Sequence, residues 1–526
     1  MLRTLFRPYP RSLRPHFQHH NSFRFISMLR SSHVVPKLRD PSLFREAAFI
    51  NGQFVQAKDG KTFDVYDPAS TDKIATIPEL SVAEVKDAIN VARDALVSFR
   101  KTLPRERARM LRKWYELIIE NQEDLATLIT WENGKPLVDA RVEVAGAAGF
   151  FEWFSEEAPR MYGDNIPASF KGNRVVTVKQ PVGVCGLITP WNFPAAMITR
   201  KIGPALAAGC TVVAKAPGET PLTALAVAEL GNRAGIPKGV VNIVTTLENT
   251  PEIGKELCTN PIIKKLSFTG STSVGKLLMQ QCSSTLKKLS FELGGNAPFI
   301  VFDDADLDKA VAGAITSKFR SSGQTCVCAN RIYVQDAVYD EFSKRFAEEV
   351  KGFKVGSGYH SENTHGPLIH ERAVGKVQDH VEDALKKGGT VLLGGEGLDH
   401  LGPNFYEPTV ITNMTSDMRI HREETFGPIA ALFRFSSEKE VVDLANEAEV
   451  GLAGYFFSSD IARIWRVAEA LEVGMVGVNT GLITDVASPF GGVKESGFGR
   501  EGSKYGIDEY TVIKSITFGG IGELQE

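Results

Sequence analysis

Between residues 182 and 302 short apolar runs recur near 182–189, 211–216, 240–245, 264–269 and 287–291, separated by helical stretches such as 220–234. Alternation of this kind predicts a parallel, doubly wound sheet, whose ligands bind where its strands end. A second alternating stretch follows Asp308: Arg331 to Gln335 reads as a strand, and Tyr339, Phe342, Phe346 and Val350 share one helical face. That predicts a separate α/β unit. Ahead of both, residues 49–80 read as short strands, with Asn51-Gly52 as a hairpin turn. Ser81 and Glu84 form a capping-box pattern before the apolar face Val85, Ala88, Ile89, Ala92 and Leu96. Arg174 to Lys179 alternates like an edge strand, and no apolar run reaches the 18 residues a membrane span needs.

At 526 residues with 43% hydrophobic content the chain is too long for one core, so two or three packed units are expected. A net charge of -3 gives no electrostatic reason to expect nucleic acid or an anionic membrane as partner, which leaves small molecules. Six cysteines in such a chain make no disulfide framework and imply a reducing compartment. The N-terminus differs: Arg3, Arg7, Arg11, Arg14, Arg24, Arg30, Lys37 and Arg39 precede the first acid, Asp40. Residues 1–47 therefore read as a mitochondrial targeting segment and predict a matrix location, while a start at Met28 would give a cytoplasmic form.

Three local patterns carry chemistry, each with an ordinary alternative. Gly270-Ser271-Thr272-Ser273-Val274-Gly275 joins a strand to a helix, so its backbone N–H groups can face a phosphate, or simply cap a helix. Cys326 follows the glycine turn Gly323-Gln324-Thr325; it is a candidate nucleophile if its pKa is depressed, and otherwise an inert thiol. Glu292 ends an apolar strand among small residues, where a carboxylate serves as a general base or pairs with a lysine such as Lys287 or Lys288.

In combination these patterns say more. Pro190-Trp191-Asn192-Phe193-Pro194, Lys215, the Gly270 to Gly275 turn, Phe291-Glu292-Leu293-Gly294-Gly295, Gly323-Gln324-Thr325-Cys326 and Glu424-Thr425-Phe426-Gly427-Pro428 stand in order over residues 48–515. This set resembles the aldehyde dehydrogenases. The resemblance implies the family's α/β fold: a Rossmann-like dinucleotide-binding domain (48–161 and 182–291), an α/β catalytic domain (292–490) and a small β oligomerisation element (162–181 and 491–526), the last making a homo-oligomer. It also implies Cys326 as nucleophile, Glu292 as the base that activates the deacylating water, and Asn192 as oxyanion donor. Thr189, Trp191, Lys215, Gly218, Gly270, Ser271, Gly275, Leu293, Glu424 and Phe426 would surround NAD or NADP, and no metal is needed.

Arg200, eight residues after Asn192, and Arg320, six before Cys326, can approach one cleft and clamp a carboxylate. The runs around them, and Thr484 as a hydroxyl donor, resemble the branch of the family that acts on succinic semialdehyde; a glutarate or other ω-carboxylate semialdehyde is the rival, and a non-catalytic protein on this fold the alternative of another class. The family commonly places a glutamate where this chain has Gly218; glycine leaves room for a 2′-phosphate and favours NADP, unless neighbouring Glu219 turns inward. Cys328, two residues beyond the nucleophile, is a candidate redox partner for it.

Overall fold

In a computed structural model of the chain, residues 36–522 are described, so most of the proposed leader, Met28 included, lies outside the described residues. Residues 37–47, grouped above with that leader, are packed: Asp124 accepts the N–H groups of Arg39 and Asp40 at 2.8 Å, Asp40 lies 2.6 Å from Arg233, and Leu43 is buried. Basic composition alone could not reveal contacts with partners 84 to 193 residues away.

The first sheet runs in the order Gln53–Val55, Ala48–Ile50, Val241–Val244, Thr211–Lys215, Val184–Ile188, Ile263–Thr269, Lys288–Glu292, Gly497–Phe498. Its five middle strands are parallel. From Val184–Ile188 the chain winds outward to Val241–Val244, then crosses back to lay Ile263–Thr269 on the other side. The strand order thus reverses between 188 and 268, where Ile188 pairs with Phe268, and a crevice opens beyond the carboxyl ends there. Alternation explains the two covered faces. Val212 and Ala214 pack with Ile198, Ile202, Leu222 and Leu225 of one helix layer, while Val213 points the other way, toward Val85, Ile89, Ile253 and Leu257. Asn51 and Gly52 adopt the positive φ values of 54° and 72° that a two-residue hairpin requires, and the Ser81–Glu84 capping box forms.

The second sheet runs Thr390–Leu393, Thr409–Met414, Ile429–Phe435, Ala329–Gln335, Ala297–Val301, Ala453–Phe457, Met475–Val478, parallel except for its first pair. Glu292 closes a strand of the first sheet and Ala297 opens one of the second, so carboxyl ends of one face amino ends of the other.

A third sheet corrects one expectation. Arg174–Pro181 is its middle strand, not its edge: Thr511–Phe518 pairs along its whole length, from Arg174 with Phe518 to Pro181 with Thr511, and Asn165–Pro167 takes the other side. Side-chain alternation reports the two faces of a strand and is silent about its neighbours, one of which here lies more than 300 residues on. Ile513 on the outer strand is 68% exposed. Among the described residues no helix is long and apolar enough to cross a membrane.

Candidate active site

Two cavities meet where the sheets face each other, and among their lining residues Cys326 alone belongs to both. One, of about 360 Å³, is lined by Phe193, Arg200, Arg320, Thr484 and Phe490; the other, of about 420 Å³, by Trp191, Asn192, Gly270, Ser271, Glu424 and Phe426. A thiol there is within reach of a molecule in either cavity.

Glycines let the backbone carry Cys326 to this point. After the helix Leu307–Phe319 the chain turns through Ser321, Ser322 and Gly323, all at positive φ (52°, 55° and 76°). A Cβ on Gly323 would lie 2.1 Å from the Gly427 carbonyl oxygen, and one on Gly295 2.3 Å from that of Cys326. Three of the sequence motifs are therefore pressed together at distances only glycine permits. Gln324 ties the loop down, its side chain accepting from Ile369 N–H at 3.0 Å and its carbonyl from Asn192 Nδ2 at 3.1 Å. The Asn192 amide thus rests on the peptide two residues before the thiol. Its backbone oxygen accepts from buried Lys135 at 2.9 Å, Lys135 pairs with buried Glu143, and Glu143 accepts from Ala195 N–H at 2.9 Å. Burial pushes the Lys135 ammonium pKa down against the pull of Glu143.

Glu292 sits in a charge network. Arg200 Nη2 donates to Glu292 Oε2 at 2.8 Å, Arg200 Nε lies 2.6 Å from Glu501 Oε2, and Lys201 pairs with the other oxygen of Glu501. All four groups are buried, and Glu292 Oε1 has no hydrogen-bond partner among the described residues. Burial pushes Glu292 up to about 7, with Arg200 opposing and Glu501 assisting. Burial also raises the Cys326 thiol, helped by Glu292 and Glu424 and opposed by Arg200. The pKa of Cys326 is therefore shifted upward, opposite to the depression considered from sequence.

The two arginines differ. Arg200, its guanidinium 4.3 Å from the Phe490 ring centre, is committed to two carboxylates. Arg320 lies 5.7 Å from the ring centre of Phe193 and has no carboxylate within ion-pair range among the described residues. Thr484 lines the same cavity and is exposed.

In the second cavity Ser271 begins the helix Thr272–Cys282 without a side-chain cap, leaving first-turn N–H groups available to an anion. A Cβ on Gly270 would lie 2.3 Å from the Phe268 ring and one on Gly275 2.5 Å from the Leu293 side chain, so either substitution would press on the residues beside the turn. Glu424, pushed up to about 7 by burial, accepts from Gly295 N–H at 3.2 Å. Phe426 holds a positive φ of 57° and meets Trp191 edge to face at 5.6 Å. Thr189 donates to the Lys215 carbonyl at 3.4 Å; Lys215 is buried, which lowers its pKa against Glu219 and Glu79. The space a Cβ on Gly218 would take is filled by Leu247, 2.6 Å away, so glycine there removes a charge more than it opens room. Leu247 is held by Glu79, which accepts its N–H at 2.7 Å. Cys328 is buried, its thiol donating to the carbonyls of Lys318 at 3.4 Å and Gly323 at 3.2 Å, and its pKa is raised by that burial.

The sequence model of the aldehyde dehydrogenase family matches residues 54–516. The chain belongs to that family. It is similar to "Succinate-semialdehyde dehydrogenase [NADP(+)] 1" of Schizosaccharomyces pombe, with 58% identity over 93% of this chain and 99% of the relative. It is 55% identical to the "Glutarate-semialdehyde dehydrogenase" of Pseudomonas putida over 91% and 99% of the two chains. The crystal structure of succinate-semialdehyde dehydrogenase from Burkholderia pseudomallei superposes with a TM-score of 0.91 at 55% identity, covering 92% of this chain and all of that one.

For an aldehyde dehydrogenase the residues present fit a dinucleotide: an uncapped helix start, the two glycines of its turn, and an aromatic pair beside the thiol. Several neighbours of the site escaped the sequence reading. Glu501 is 300 residues from Lys201, and Lys135, Glu143 and Glu79 stand in unremarkable helical or loop contexts. His370, Arg372 and Lys376 line the second cavity without any motif to mark them. Lys201 was legible only as the neighbour of Arg200.

Proposed function

We propose that this aldehyde dehydrogenase oxidises succinic semialdehyde to succinate, with NADP preferred and NAD as the alternative cofactor. The observation that carries the reading is a cavity lined by two arginines, Arg200 and Arg320, together with Cys326. Relatives named for succinate and glutarate semialdehydes, substrates that each end in a carboxylate, support it. The NADP preference rests on the first relative's name and on the missing negative charge at Gly218.

On this reading Arg320, Arg200 and Thr484 hold the distal carboxylate and set the aldehyde carbon at Cys326 Sγ. The thiol releases its proton to solvent and its sulfur adds to the carbonyl carbon. The oxyanion so formed takes hydrogen bonds from Asn192 Nδ2 and the Cys326 N–H, each contributing about 3 kcal/mol. When bound, the dinucleotide accepts the hydride that the substrate carbon loses. Glu292 then removes a proton from water, whose oxygen attacks the remaining thioester; the carbon–sulfur bond breaks, and the acid and the restored thiol result. Lys215, Glu424, Ser271, Trp191 and Phe426 hold the cofactor, and Thr189, Gly218, Gly270, Gly275 and Leu293 shape its bed.

Arg320→Ala tests the substrate. KM for succinic semialdehyde should rise by roughly a hundredfold, the loss of a charge-assisted bidentate contact, with little change for butanal; equal effects on both would overturn the reading. A glutarate semialdehyde preference would appear as a higher kcat/KM for the aldehyde one carbon longer. The same reading includes import into mitochondria directed by residues ahead of 37, and a homo-oligomer built on the sheet of Arg174–Pro181 and Thr511–Phe518. A fusion of residues 1–47 to a reporter and light scattering of the purified protein test these in turn.

A further inference from the structure

Arg200 is more than a substrate ligand in waiting. Its Nη2 is bonded to the carboxylate that serves as base, its Nε faces Glu501, and its Nη1 makes no hydrogen bond among the described residues, while the side chain lines the same cavity as Cys326. The buried charges here balance in pairs: Arg200 and Lys201 against Glu292 and Glu501. Arg500 and the Cys326 thiol also face Glu292. In this state one oxygen of the base is tied to a guanidinium, while the other has no hydrogen-bond partner among the described residues. A third carboxylate arriving at Arg200 breaks the balance.

We infer that the substrate's own carboxylate, bound at the free edge of Arg200, draws that guanidinium's charge away from Glu292, and so readies the base for water only when the acyl group on Cys326 ends in an acid. The inference rests on the proposed carboxylate cavity. It makes Arg200 a positioning residue as well as a ligand: an uncharged aldehyde can acylate Cys326, yet its thioester waits on a base still held in an ion pair. Selectivity then resides partly in the hydrolysis step and not in KM alone. The direction follows from Coulomb's law at short range, since adding a negative charge beside a carboxylate's cationic partner increases that carboxylate's affinity for a proton.

The decisive comparison uses the wild-type enzyme and two acyl groups that differ only at the far end, from succinic semialdehyde and from butanal. Thioester decay is followed by rapid quench against pH. The acid limb of hydrolysis for the succinyl enzyme should lie on the order of one pH unit above that for the butyryl enzyme, with a severalfold faster plateau. In Arg200→Gln the two limbs should coincide, and in Arg200→Lys part of the gap should return. Coincident limbs in the wild type, with Arg320→Gln still raising KM for succinic semialdehyde alone, would overturn the coupling and leave the carboxylate cavity standing. A gap that persists in folded Arg200→Gln would remove Arg200 from the mechanism. Equal KM increases for both aldehydes in Arg320→Gln would overturn the cavity reading and the coupling with it. Should Arg200→Gln fail to fold, because it strands two buried carboxylates, the wild-type comparison decides alone.

Discussion

Adding one methyl group at Gly295 would place a Cβ 2.3 Å from the Cys326 carbonyl oxygen, where ordinary contact begins at 3.4 Å. About 1 Å must be found. Leu452 Cβ stands 3.3 Å away on another side, so the strand that begins at Ala297 cannot simply retreat. Relief has to come from the 323–328 loop, and moving it shifts the Cys326 Sγ and N–H relative to Asn192, whose backbone is held by Lys135 and whose side chain is tied to the loop through the Gln324 carbonyl. A misplacement of roughly 1 Å at reacting atoms costs on the order of a hundredfold in rate, or about 2.7 kcal/mol of transition-state stabilisation. Gly295→Ala should therefore lower kcat/KM by about that factor while the protein stays folded, and the rapid burst of reduced cofactor on mixing with aldehyde should slow equally. Gly375→Ala is the control. It lies inside the helix Glu371–Lys386 with nothing within 4 Å of its new Cβ, and should gain about 0.5–1 kcal/mol of stability at unchanged kcat. A folded Gly295→Ala enzyme with kcat/KM within about threefold of wild type would refute the packing argument.

Other outcomes are equally direct. Because Glu292 must be ionised to accept a proton and is pushed up to about 7, kcat for an uncharged aldehyde should fall as pH drops through about 7, and Glu292→Gln should abolish both the limb and most of the hydrolysis. Gly218→Glu should cut kcat/KM for NADP at least tenfold relative to NAD, by setting a carboxylate against a 2′-phosphate once Leu247 swings aside; an unchanged ratio would show that discrimination lies elsewhere. If oxidation joins Cys326 to Cys328, peroxide inactivation should be reversed by a thiol in the wild type and not in Cys328→Ala, whereas equal recovery would dismiss the pairing.

Much of the architecture was legible in local pattern, because strand and helix periods are properties of neighbouring residues. The strands at 184–188, 211–215, 241–244, 263–269 and 288–292, the Asn51-Gly52 hairpin and the Ser81 cap all follow from spacing and turn chemistry. The positions proposed to carry the chemistry, Asn192, Glu292 and Cys326, are legible too, once they are seen with their glycine-rich surroundings as one family's motifs. What the sequence could not express is which distant groups share a dielectric. Glu501 reaches Arg200 and Lys201 across 300 residues, Leu247 fills the space beside Gly218, and Thr511–Phe518 turns an apparent edge strand into a central one. Burial, not the local sequence, raises both the Cys326 thiol and the Glu292 carboxyl. Identity and order of the reactive side chains are thus written in the chain, but their protonation and pairing are set by desolvation and Coulomb forces that act through space and exist only after the fold has closed.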